Sequence, residues 1–252
     1  MAKPLDKKVA LITGASRGIG RAIAGQFANL GANIVVNYVR NEEAAAETVR
    51  SLSGNGVKVF PYRANVGDPK AAADMVDAVL EEFGGIDILV HNAAIGAFKP
   101  VHKLKINQWD LSLDINAKAL LHLTQKVMPS MEQRGGGNII AISSLGAHRF
   151  IPEYGAIGIS KAALETLVKY LAAELASKGI RVNCVSGGPV ETDALKSFAR
   201  YEDLKKEVIQ KTPAGRIGKP DDIARIVAFL ASPESNWIYG QTIIADGGLS
   251  LI

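Results

Sequence analysis

The chain has 252 residues, 48% of them apolar and 21% charged, so it can bury a large core and lacks the composition of a disordered protein. Its net charge of +4 comes from scattered Lys and Arg and forms no basic run of the kind that grips nucleic acid. The single cysteine, Cys184, excludes an intrachain disulfide and a cysteine-held metal, and the four histidines show no ligand spacing, so a metal-free site is expected.

The opening M-A-K-P-L-D-K-K carries charge where a signal peptide has an apolar run. No segment approaches the ~20 apolar residues of a membrane span, so a cytoplasmic protein with no membrane partner is expected. The first apolar run, V-A-L-I-T from Val9, is apolar on both faces, as a buried parallel strand is. It leads into T-G-A-S-R-G-I-G, Thr13 to Gly20, and a helical pattern over 21–29. Gly14, Gly18 and Gly20 permit a tight turn and close approach of a pyrophosphate to a helix N-terminus, although a plain strand-to-helix turn reads the same way.

The second strand, N-I-V-V-N from Asn33, ends without the Asp or Glu that would bind a ribose 2′-hydroxyl. Arg17 inside the glycine loop and Arg40 just past the strand would instead suit a 2′-phosphate, which predicts NADPH over NADH; a solvated helix-start charge is the other reading of Arg40. Further short apolar runs begin at Val57, Ile86, Asn138, Ile180 and Thr242, and helical patterns cover 41–52, 69–83, 107–131, 160–177 and 221–230. Leu164, Leu167, Val168, Leu171 and Leu175 make a clear helical stripe. Alternation over the whole length predicts an α/β, single-domain (1–252), Rossmann-type doubly wound parallel sheet of about seven strands with helices on both faces. The irregular stretch near 187–218 is where a substrate-binding lid is expected.

The stretch E-Y-G-A-I-G-I-S-K puts Tyr154 seven residues before Lys161, with Ile157 four before it. On a helix, residues seven apart share a face but differ by ~10.5 Å along the axis, against ~6 Å for residues four apart. A proton from Tyr154 would therefore be offered at a different depth. Pro152 and Gly155 argue against an unbroken helix from Tyr154, so its phenol is expected to project from the first turn or the preceding loop.

In combination these features resemble the short-chain dehydrogenase/reductase superfamily over nearly the full length. They are the glycine loop, N-A-A at Asn92 to Ala94, Asn116 in D-I-N-A-K, Ser143 and Ser144 after the fifth strand, Lys161, and D-G-G at Asp246 to Gly248. The resemblance implies that Ser144 hydrogen-bonds substrate, that Lys161 holds the nicotinamide ribose and lowers the tyrosine pKa, and that Asn116 links the lysine to a water relay. It places Gly14, Ser16, Arg17, Gly18, Ile19, Gly20, Arg40, Asn65, Val66, Asn92, Ala93, Lys161, Gly188, Val190 and Thr192 on the cofactor. Tyr-x6-Lys is similar to the pattern of enoyl-[acyl-carrier-protein] reductases rather than the Tyr-x3-Lys of ketoreductases, and S-G-G-P-V-E-T, Ser186 to Thr192, agrees with it. With its ketoreductase-like glycine loop, the chain most resembles the NADPH-dependent enoyl-acyl-carrier-protein reductase III type, an enzyme of fatty-acid biosynthesis.

That resemblance implies Tyr154, Lys161, Ser144 and Asn116 as catalytic residues, an acyl carrier protein bearing the enoyl substrate as partner, and a homotetramer or homodimer. Phe98, Leu145, Phe150, Ile157 and Leu195 would then line an apolar pocket, or simply pack as core. Arg149, Lys196, Arg200, Lys205 and Lys206 could form a rim that steers an acidic carrier, or a solvated face. Ser144 could equally cap a turn, and Ser143 reads as structural. A carbonyl reductase of the same superfamily and a non-catalytic NADP(H)-binding regulator stand as the alternative functions.

Overall fold

A computed structural model describes residues 3–196 and 201–252. Seven strands, β1 (Val9–Ile12), β2 (Asn33–Tyr38), β3 (Val59–Arg63), β4 (Ile88–His91), β5 (Gly137–Ser144), β6 (Ile180–Gly187) and β7 (Thr242–Ala245), form one sheet in the order β3-β2-β1-β4-β5-β6-β7. Every pairing is parallel. The order reverses direction between β1 and β4, and the crevice outside the carboxyl ends of such strands is where a doubly wound sheet binds ligands.

Nine α-helices are described: α1 (Gly18–Asn29), α2 (Glu42–Leu52), α3 (Pro69–Phe83), α4 (Ile106–Leu113), α5 (Ala119–Gln133), α6 (Gly155–Leu175), α7 (Asp193–Lys196), α8 (Tyr201–Lys211) and α9 (Pro220–Ala231). Alternation along β1 shows why its residues are all apolar. Val9 and Leu11 join the core under α3, α5 and α6, whereas Ala10 and Ile12 join the core under α1, α2 and α9. Helix starts follow local chemistry: the Asp68 carboxylate accepts from the amides of Lys70 and Ala71, Pro69 begins α3, and Gly84, left-handed at φ 72°, ends it.

Two segments differ from the sequence expectation in ways that matter for the site. The helix expected over 107–131 is interrupted by a π turn at Asp114–Lys118, which separates α4 from α5 and sits around Asn116. The helix expected from 160 begins at Gly155, so Tyr154 is its N-cap residue, and straight helical spacing from Tyr154 to Lys161 does not apply to the first step. Within 187–218, α7 and α8 are the regular elements described. No helix among the described residues is long and apolar enough to cross a membrane.

At the edge opposite the crevice, the buried Asp87 carboxylate ties the sheet together. It accepts from the Val9 amide (2.9 Å), Lys8 Nζ (3.0 Å) and both Nε and Nη2 of Arg134 (3.0 and 2.9 Å). Burial works to raise its pKa, but the bonds from Arg134, Val9 and Lys8 outweigh that and hold it below the usual value. Asp87→Ala should therefore cost about 2 to 3 kcal/mol in urea denaturation, and an unchanged midpoint would contradict this role.

Candidate active site

The nucleotide end is built on Thr13, the buried residue that follows β1. Its Oγ1 accepts from the amides of Asn92 and Ala93, both at 3.0 Å, which locks the ends of β1 and β4 together. The Asn92 amide group donates to the carbonyls of Thr13 (2.9 Å) and Gly14 (3.0 Å). From the other side, buried Asn37 accepts from the Gly14 amide at 3.2 Å and donates to Ala64 O at 3.0 Å, fixing the loop to β2 and β3.

The three glycines are required by this packing. Gly14 and Gly18 have φ of 63° and 56°, and a Cβ on Gly20 would collide with Gly14 O and lie 2.6 Å from Asn92 Nδ2. The result is a cradle without side chains at the start of α1, whose N-cap residue Arg17 makes no side-chain cap, so the first amides face the crevice. Thr192 leans over the cradle, its methyl 3.4 Å from where a Gly18 Cβ would sit, and its Oγ1 accepts from the Leu195 amide. These residues fit a pyrophosphate.

Around the cradle, Ser16 O accepts from Thr48 on α2, Ile19 packs against the adjoining core, and Val66 and Val190 are buried. Asn65 is exposed and turns its carbonyl to the Gly67 amide. Arg17 and Arg40 are both exposed. Gly188 packs on Asp246, where a Cβ would lie 2.9 Å from the Asp246 Cβ. A separate cleft of about 530 Å³ on the β7 side, lined by Val208, Arg216, Asp222 and Ile244, shares Gly188 with the predicted cofactor residues.

At the reacting end, Ser144 closes β5 and Lys161 stands on the second turn of α6, 3% exposed, with Nζ donating to Ile142 O at 2.6 Å. Burial pulls the Lys161 pKa down to about 8, while Cys184 and Glu165 act in the opposite sense. The Tyr154 ring lies on Gly146, where a Cβ would be 2.6 Å from its Cδ1, and its centroid is 5.9 Å from that of Phe98. Burial raises the phenol pKa, and a hydrogen bond from the Ser144 side chain opposes the shift. This corrects the expectation of a lysine-lowered tyrosine: among the groups that perturb it here, burial dominates and the partner is Ser144.

Tyr154 is aimed by its backbone. Glu153, a non-glycine residue with φ of 60°, has its carbonyl held by the Lys99 amide at 2.9 Å, and Tyr154 O accepts from the Gly158 amide at 2.8 Å. Ile157 is 8% exposed and packs into Gly96, where any Cβ would collide with its side chain. The Asn116 side chain accepts from Ile95 N (2.8 Å) and donates to Ile95 O (2.8 Å) and Ser160 Oγ (2.9 Å), so it clamps the loop after β4 to α6.

The structure brings Ser144, Tyr154, Phe98 and Leu145 together, with Ile157 as buried wall and Leu195 half-buried on α7. Phe150 is 87% exposed and closes no pocket wall. The basic rim is weaker than the sequence implies. Lys205 is paired with Glu191 at 2.7 Å, Arg149 donates to Leu249 O, Lys196 and Lys206 are exposed, and Arg200 lies outside the described residues. Among the described residues, no group of three or more His, Cys, Asp or Glu side chains comes together as metal ligands would.

Comparison with known proteins points to one superfamily under names for different reactions. Residues 14–250 match a family profile described as Enoyl-(Acyl carrier protein) reductase. Dehydrogenase/reductase SDR family member 4 of Sus scrofa is 38% identical over 98% of this chain and 88% of its own length. The 3-oxoacyl-[acyl-carrier-protein] reductase FabG of Staphylococcus aureus (strain N315) is 39% identical over 96% of this chain and 98% of its own length. Among solved structures, 7α-hydroxysteroid dehydrogenase complexed with NADH and 7-oxo glycochenodeoxycholic acid superposes with a TM-score of 0.93 at 37% identity, covering 97% of this chain and 94% of that one.

Sequence reasoning missed Thr13, Asn37 and Ser160, and noted of the histidines only that they lack ligand spacing. The signal for Asn37 was present as a polar residue inside an apolar strand. His91 is fully buried at the end of β4, with Nε2 3.3 Å from Asn116 O; a carbonyl can only accept, so Nε2 carries the proton. Its Nδ1 has no partner. Burial, then the charge of Lys161, lower its pKa to about 3. The unfolded chain, with an ordinary histidine pKa near 6.5, binds the proton first, so stability is complete above about pH 6.5 and falls as pH drops toward 3. Wild type should lose about 2 kcal/mol more than His91→Asn between pH 7 and pH 5 in urea denaturation, and equal losses would contradict the buried neutral ring.

Proposed function

The chain belongs to the short-chain dehydrogenase/reductase superfamily, nicotinamide-dependent oxidoreductases, and on that premise we propose that it reduces the C2=C3 bond of trans-2-enoyl-acyl-carrier-protein thioesters in fatty-acid biosynthesis, with NADPH as reductant. The observation that carries this reading is the relocation of the phenol. Tyr154 caps α6 while Ile157, four residues before Lys161, is buried wall and can give no proton.

When bound, the dihydronicotinamide supplies the hydride, which goes to C3 in the reduction of either an enoyl or a 3-ketoacyl thioester. The two reactions differ in where negative charge develops. For a ketone the charge forms on the oxygen of C3 itself; for the alkene it forms on the thioester oxygen, two carbons away. Tyr154, a neutral donor with a raised pKa, stands beside Ser144 and can hydrogen-bond that enolate oxygen, an effect worth ~2.7 to 4 kcal/mol. Lys161 holds the nicotinamide ribose and contributes positive potential. Asn116 and Ser160 hold the loop after β4 against α6, so the floor of the site keeps its shape. The cradle of Gly14, Gly18 and Gly20 takes the pyrophosphate, and Arg17 with Arg40 takes the 2′-phosphate. The segment 187–218 serves as the lid, and Lys196 and Lys206 face the acidic carrier. Exposed Ile106 and Leu111 on α4 and Tyr170 on α6 support assembly into a homotetramer or homodimer.

The relatives favour a second reading, reduction of a 3-ketoacyl thioester, since the S. aureus relative is named for that reaction. The pairing of Tyr154 with Ser144 also supports it, because two hydroxyls side by side can hold a ketone oxygen. A parallel assay separates the two. Purified protein with NADPH should reduce crotonyl thioester and not acetoacetyl thioester; the reverse result selects the second reading, and no turnover with either removes both. Tyr154→Phe should lower turnover by about 10²- to 10³-fold with NADPH affinity unchanged, and full turnover would place the oxyanion donor elsewhere. Arg40→Ala should weaken NADPH binding about tenfold and leave NADH binding unaffected, whereas equal effects on both would contradict a 2′-phosphate contact.

A further inference from the structure

One turn beyond Lys161 on α6, Glu165 is 6% exposed, and both of its carboxylate oxygens are engaged. Ser143 Oγ donates to Oε1 at 2.5 Å, and His148 Nε2 lies 2.9 Å from Oε2. Ser143 directly precedes Ser144 at the end of β5, and His148 closes the short turn Leu145–Ala147 that carries the chain toward Tyr154. A carboxylate buried without a direct Lys or Arg contact is costly, and the geometry spends that cost on one spot. It pins the end of β5 and the following turn to the helix that presents Lys161.

From this arrangement we infer that Glu165 is a positioning residue: it supplies the countercharge that keeps buried Lys161 protonated, and it fixes Ser143 and His148 so that Ser144 and Tyr154 keep their place relative to that lysine. Residues four apart share a helix face, so the Glu165 carboxylate lies in the same low-dielectric space as Lys161 and favours the ionised form of the lysine. The other titratable groups facing Lys161 are uncharged at neutral pH. His91 from β4 is held neutral, and Cys184 from β6 has its thiol pushed up to about 12 by burial. His148 meets Glu165 from the turn after β5, on the solvent side, with 43% of its side chain exposed. Glu165 is therefore the group that opposes the burial of Lys161 at neutral pH.

The inference rests on Lys161 holding the nicotinamide ribose and does not depend on whether an alkene or a ketone is reduced. Its test is the NADPH dissociation constant from pH 6 to 10, read by nucleotide fluorescence, for wild type and Glu165→Gln. Glutamine keeps the shape and one accepting oxygen, puts a donating NH2 in place of the other, and removes the charge. The pH at which affinity is lost should fall by roughly one unit, giving about fivefold weaker binding near pH 8 while binding at pH 6 stays within about twofold. If the variant does not fold, Ser143→Ala/Glu165→Leu removes both polar partners together, leaves no buried group unmet between them, and should move the limit the same way. An alkaline limit that stays at the wild-type pH in a variant that binds NADPH overturns the assignment of Glu165 alone. A wild-type protein that binds no NADPH removes the cofactor reading and this inference with it.

Discussion

The close approach of Gly146 and Gly158 sets the geometry on which the reacting end depends. A Cβ on Gly158 would lie 2.5 Å from Gly146 O, so only two glycines allow the first turns of α6 to press against the turn that follows β5. That contact decides where everything else falls. It lays the Tyr154 ring on Gly146, next to Ser144, and it leaves Lys161 one turn farther along, within reach of Ile142 O. Side chains at 146 or 158 would lift the helix away and separate the hydroxyl pair from the lysine. The second glycine contact, Ile157 into Gly96, works in the same direction by drawing the loop after β4 onto the same helix.

Charge is managed by burial as much as by pairing. Lys161 and His91 are both buried, and burial sets the form of each: the histidine neutral, the lysine with a pKa of about 8. On the opposite edge of the sheet, Asp87 is buried with four donors from three residues and stays ionised. The two ends thus show the same physics with different outcomes. Where cationic donors are dense a buried group keeps its charge, and where they are sparse its protonation becomes adjustable near neutral pH, which suits a catalytic lysine.

Much of the architecture was legible because it rests on local rules. Continuous apolar runs announced strands buried on both faces, the glycine spacing announced the cradle, and the helical pattern over 69–83 matches α3. The Tyr154 to Lys161 spacing was legible too, but the helix start at Gly155 was not, because Pro152 and Gly155 read as breakers and moved the expected start to 160. The π turn around Asn116 was not, because no residue type marks it; it is set by contacts from His91 and Ile95, distant in sequence. Glu165 was invisible for a similar reason. In a helical pattern it reads as a surface acid, and only the packing of β5 and the turn after it places it inside. Phe150 shows the opposite failure, an aromatic assigned to a pocket that the loop carries outward to solvent.

In the proposed reaction, a phenol at position 154 in place of 157 meets a charge that forms two carbons from the carbon receiving hydride. The most direct measurement follows the label from stereospecifically deuterated NADPH into product, by mass spectrometry and NMR, with crotonyl and acetoacetyl thioesters offered together. Enoyl reduction gives butyryl thioester carrying one deuterium at C3 and a solvent proton at C2. Deuterium found only at C3 of 3-hydroxybutyryl thioester, with crotonyl thioester untouched, would contradict it.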